Sequence, residues 1–138
     1  MHWKTLLILA LALGAGLAAQ TQEKAKGRRA NIAAGREAFR ENCSVCHGLD
    51  AKGNGPAAEI LRTAPADLTA LAQKNGGRFP EDRVRDSIYS RGSILAHGTP
   101  DMPMWGDVFH NLKSDRKLIR ARERNLTAFI QSIQVVPR

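Results

Sequence analysis

The 138-residue chain has only two cysteines, Cys43 and Cys46, three positions apart, and His47 directly follows the second. A disulfide across so short a loop would constrain the unfolded chain very little. A thioredoxin-like dithiol needs a βαβ context, whereas the residues on either side of this pair carry helical patterning. Zinc wants four ligands, and beyond this trio and the extreme N-terminus the chain offers only His97 and His110, neither at finger-like spacing. Cys43-Ser44-Val45-Cys46-His47 does fit the C-x-x-C-H attachment of a c-type haem. That chemistry needs two thiols spaced to meet the two vinyl groups of one porphyrin edge, and an imidazole that turns beneath the ring to reach the iron. A second axial ligand must then come from downstream. The segment from His97 to Gly106 is rich in glycine and proline, hence a loop, and it carries Met102 and Met104. These two methionines and His97 are the candidate ligands.

The neighbouring residues resemble those of a known family. Gly35-x-x-x-Phe39-x-x-x-Cys43 is similar to the N-terminal helix of class I c-type cytochromes, and the four-residue step puts the three positions on one helix face. Leu126-x-x-Phe129 resembles the family's C-terminal helix, which crosses the first helix at its glycine. Met102-Pro103-Met104-Trp105-Gly106 resembles the M-P-x-[FW]-G ligand loop, a register that makes Met102 the thioether ligand, with Met104 and His97 as alternatives. Pro65-Ala66-Asp67-Leu68-Thr69 is similar to the segment in which a proline carbonyl accepts the hydrogen bond of the proximal imidazole. The resemblance therefore implies Pro65 for that bond and Leu68 for packing on the ring. It covers residues 31–136 and implies an all-α cytochrome c fold, about four to five helices around one covalently attached haem c. His47 and Met102 would be its axial ligands. Arg91, just before the ligand loop, is the candidate partner of a haem propionate.

Several elements must position these residues. Gly53-Asn54-Gly55-Pro56 is turn chemistry after the haem helix, and residues 57–61 suit a short helix. A helix over 80–90 is expected from Pro80 at its start, acidic Glu81 and Asp82 near its positive end and Gly92 as a stop; Val84, Ile88 and Tyr89 would face inward. The last helix is expected over 114–134 with Ser114 as cap and an apolar stripe of Leu118, Ala121, Leu126, Phe129, Ile130 and Ile133. His110 falls in a mixed polar stretch and reads as a surface residue.

At the N-terminus, a basic start, an apolar run from Leu6 to Leu13 and a string of small residues form the pattern of a secretory signal peptide, expected over 1–18. Residues 5–19 fall short of the roughly 20 apolar residues a spanning helix needs. Residues 19–30 then form a basic flexible lead-in, and residues 31–136 the domain. The expected location is periplasmic or otherwise exported, with no membrane span after cleavage.

The chain holds 21 Lys and Arg against 13 Asp and Glu, a formal +8. Losing the signal segment with its single lysine leaves +7. No aromatic stacking platform interleaves these charges, which argues against nucleic acid. The excess instead suits steering toward redox proteins with acidic docking surfaces. Two Trp, one Tyr and four Phe are few for a small core, a shortage that a haem would make good. The reading is a non-enzymatic electron carrier that cycles Fe(II)/Fe(III), as a monomer or as part of a redox complex. The alternatives are a cytochrome subunit of a larger dehydrogenase or oxidase complex, and a haem-based ligand sensor.

Overall fold

The computed structural model describes residues 2–89, 102–103, 105–111 and 115–135, with the helical backbone alone for 2–18. Among the described residues six α-helices follow one another: α1 (His2–Asn42), α2 (Ser44–His47), α3 (Leu71–Lys74), α4 (Glu81–Tyr89), α5 (Trp105–Asn111) and α6 (Arg116–Ser132). Two 3-10 turns, Ala58–Ile60 and Leu68–Ala70, lie between α2 and α3. The described residues contain no strand, so the fold is all-α.

The chain divides into two compact units, Met1–Ala30 and Asn31–Arg138. In the first, residues 19–30 are helical and all are exposed. Among the described residues no helix is long and apolar enough to cross a membrane.

The second unit is built on the crossing of α1 and α6. Phe39 and Leu126 are its two most deeply buried large side chains, and the Phe39 and Phe129 rings meet with centroids 5.3 Å apart. Gly35 makes this possible. A Cβ there would collide with the carbonyl oxygen of Asn125 and lie 2.8 Å from the Cβ of Phe129, so only glycine lets the two backbones approach this closely. α4 adds Val84 and Ile88 to the same cluster, and α5 adds Phe109.

Three boundaries differ from the sequence reading. α6 begins at Arg116, and its cap is Asp115, whose carboxylate accepts the Lys117 N–H at 3.1 Å; Ser114 lies outside the described residues. Leu118, assigned to the apolar stripe, is 48 % exposed, and Ile119 packs on the core in its place. The stripe thus starts one residue later, because the first turn of α6 carries Arg116 and Lys117 outward with Leu118. Finally, α5 forms where only loop and polar stretch were expected. Trp105 and Phe109, one helical turn apart, stack with centroids at 5.6 Å, and Phe109 meets Tyr89 at 6.0 Å. Exposed His110 closes that helix, consistent with a surface role.

Candidate functional site

Cys43 follows α1 directly, its N–H bonded to the Phe39 carbonyl at 2.8 Å. The chain then turns through α2, where Cys46 and His47 lie. So short a helix leaves its last carbonyls without internal partners. The following loop supplies them: the N–H groups of Ala57, Gly55 and Gly53 donate to the carbonyls of Val45, Cys46 and His47 at 2.9, 3.0 and 2.8 Å. Two thiols and an imidazole are thereby held on a backbone with its hydrogen bonds met.

Cys43 and Cys46 are both free thiols. Burial, with a smaller push from Cys46, raises the Cys43 pKa to about 12. A disulfide-exchange cysteine needs the opposite, a thiolate stabilised near neutral pH. The environment therefore argues against a redox-active dithiol.

His47 is buried, and its Nδ1–H donates to the carbonyl oxygen of Ala66 at 3.0 Å. Burial lowers its pKa, opposed only in part by that bond, and so favours the neutral ring. A neutral imidazole with Nδ1–H engaged has its lone pair on Nε2, the form that binds a metal. The expected acceptor was the carbonyl of Pro65; the structure corrects this by one residue. The Pro65 oxygen lies against Gly53, whose φ of +83° and missing side chain permit the approach, and the next peptide along presents its oxygen to the imidazole.

That second segment is anchored to the first. The Leu68 N–H donates to the Ala51 carbonyl at 2.8 Å, and the Asp67 carboxylate accepts both the N–H and the hydroxyl of Thr69, at 2.8 and 2.6 Å. Leu68 and Met102 are both half-buried and pack against the core cluster, as does Cys43. Arg91, His97 and Met104 lie outside the described residues.

Tyr89 was expected only to face the haem or core, and Ala51 was not singled out. The Tyr89 hydroxyl is buried and has no hydrogen-bond partner among the described residues. Burial, with lesser contributions from Glu123 and Cys43, raises its pKa, so it remains a donor. A buried carboxylate, such as a haem propionate, would satisfy it. Ala51 is 1 % exposed and adopts φ +61°, held by hydrogen bonds from its N–H to Gly48 and from Leu68 to its carbonyl. Nothing in its side chain signals this. A cavity of about 420 Å³ lies beside Tyr89, lined also by His110, Arg116, Ile119, Arg120 and Glu123, but none of the cysteines, His47 or Met102 borders it.

Crossed terminal helices around a C-x-x-C-H turn, with a methionine on the core, define a c-type cytochrome domain, a haem-binding electron-transfer module. Residues 30–118 match the family described as cytochrome c oxidase, cbb3-type, subunit III, and the chain belongs to that family of c-type cytochromes. No curated protein and no solved structure gives a match.

Proposed function

We propose that the chain is an exported mono-haem carrier of single electrons, with one haem c held covalently by Cys43 and Cys46 and axially by His47 and Met102. The observation that carries this reading is the buried His47 imidazole, oriented by Ala66, beside two unbridged thiols. Residues 1–18 act as a cleaved signal peptide, 19–30 as a basic lead-in and 31–136 as the haem domain. When bound, the haem supplies a one-electron Fe(III)/Fe(II) couple.

The chain's own residues would do the rest. Each thiol would add its S–H across a vinyl group, forming a thioether with no atom lost. Ala66 holds the imidazole in one tautomer and raises its donor strength. Met102 offers a thioether ligand, and a His/Met pair raises the potential. Leu68 and the core aromatics exclude water. Val45, between the two cysteines, and Ile60 are 51 % and 84 % exposed and suit transient contact with a redox partner. The net positive charge favours an acidic partner surface, so electron transfer should slow as salt is raised.

A redox titration followed by visible spectra tests this reading. One one-electron transition and a haem that stays attached on denaturation are expected. Met102→Ala should lose the methionine-to-iron charge-transfer band and lower the potential; an unchanged band and potential would remove Met102 as ligand. The family description, which names an oxidase subunit, favours a second reading, a subunit of a larger oxidase complex. Purification from native membranes with an oxidase core attached would decide for it.

A further inference from the structure

The carboxamide of Gln134, just beyond α6, bonds to three backbone groups. Its Nε2 donates to the carbonyls of Leu68 and Ile130, both at 2.7 Å, and its Oε1 accepts the N–H of Ala72 at 2.8 Å. The Ile130 carbonyl, which also accepts the Ile133 N–H at 3.4 Å, lies in the last turn of α6, and Ala72 lies in the first turn of α3, whose N–H groups lack partners within that helix. The next residue continues the clamp, with the Val135 N–H donating to the Thr69 carbonyl at 2.9 Å. One side chain therefore ties the end of the last helix to residues 68–72, 66 positions away in sequence at Leu68.

That segment is the one that orients His47. The Leu68 peptide is pinned on both sides, its N–H on Ala51 and its carbonyl on Gln134. Two residues before it, the Ala66 carbonyl accepts the His47 Nδ1–H. We propose that Gln134 is a positioning residue for the proximal imidazole: by fixing Leu68 it fixes the Ala66 oxygen, and with it the donor strength of His47. This rests on the haem reading above.

Losing the clamp should loosen the Ala66 bond, make His47 a weaker donor and shift the iron toward the reduced form. The test uses the haem-loaded full chain as wild type, Gln134→Met, Gln134→Glu and Ser132→Ala. Gln134→Glu keeps the acceptor for Ala72 and loses both donors. Ser132→Ala removes a hydrogen bond to Phe129 at the same helix end without touching residues 66–72. Both Gln134 variants should move the Fe(II)/Fe(III) ratio at fixed ambient potential roughly threefold toward Fe(II), which at 59 mV per decade is about 28 mV. They should also shift the His47 Nδ1–H resonance, while Ser132→Ala changes neither.

A purely structural Gln134 would lower the melting temperature of its variants and leave potential and ring proton unchanged, and that result overturns the proposal. Native-state hydrogen exchange of the wild type needs no variant. The His47 Nδ1–H should become exchangeable in the same opening that exposes the Ala72 N–H; if it stays protected through that opening, the proposal fails. A wild type with no haem c spectrum would instead sink the haem reading itself.

Discussion

Gly35→Ala is the sharpest perturbation of the fold. In an open helix this change is stabilising by about 1 kcal/mol, because alanine loses less backbone entropy. At position 35 the added methyl would overlap the Asn125 carbonyl oxygen, sit 2.5 Å from its carbon and 2.8 Å from the Phe129 Cβ. Two of these neighbours are backbone, so no rotamer relieves the clash, and α1 must separate from α6 by roughly 1–1.5 Å to restore ordinary contact distance. A gap of that size forfeits at least about half of each dispersion contact. The contacts at risk surround Phe39, Leu126 and Phe129, all at most 5 % exposed. Because the clash is with backbone, overpacking falls at the upper end of its usual range, about 3 kcal/mol, and after a propensity gain of about 1 kcal/mol the net destabilisation is about 2 kcal/mol. Denaturant unfolding of the haem-loaded protein reads this directly. Gly27→Ala is the control, since nothing lies within 4 Å of a Cβ built there, and it should be neutral or slightly stabilising. If Gly35→Ala is as stable as Gly27→Ala, the close crossing of the two helices is wrong.

Two further substitutions probe the loop around His47. Ala51→Val puts a β-branched residue at φ +61° in a fully buried site, and about 2–4 kcal/mol of stability should be lost to backbone strain and overpacking, measured as a lowered denaturation midpoint. The Asp67 pKa is held below the usual carboxylate range chiefly by the Thr69 hydroxyl; burial opposes this, and the Thr69 N–H with nearby Lys74 and Lys52 adds to the lowering. Its contribution is complete above the ordinary carboxylate pKa and is lost as pH falls through the depressed folded value. Asp67→Asn keeps an acceptor but cannot titrate, so its stability should fall less steeply than that of the wild type between about pH 5 and pH 2. Parallel slopes would exclude Asp67 as a source of the acid dependence.

The parts of the fold legible in the sequence are those written in side-chain identity and spacing. Gly35, Phe39 and Cys43 share a helix face because they are four apart, and Leu126, Phe129 and Ile130 do so at three- and four-residue steps. C-x-x-C-H is legible because its chemistry fixes order as well as residue type. Backbone partners are different. Any residue, proline included, could have supplied the carbonyl that Ala66 gives to His47, so side-chain identity does not distinguish Ala66 from Pro65. Ala51 in a left-handed conformation carries no sequence mark at all. The helix α5 was hidden by the glycine and prolines just before it, although Trp105 and Phe109 one turn apart were a usable signal. Gln134 is an ordinary polar residue after an apolar stripe until its three backbone partners are seen.

The Gly35 crossing also governs when this chain can become compact. Its partners, Asn125 and Phe129, are synthesised about ninety residues later, which at about 5–20 residues per second is a delay of roughly 5–18 s. Throughout that interval the face of α1 bearing Phe39 has nothing to close against, so the nascent polypeptide stays open until almost all of it has left the ribosome. Contacts between such distant positions also slow the search for the native arrangement. Late closure of this kind would leave a chain threadable through a translocation pore while it is still being made.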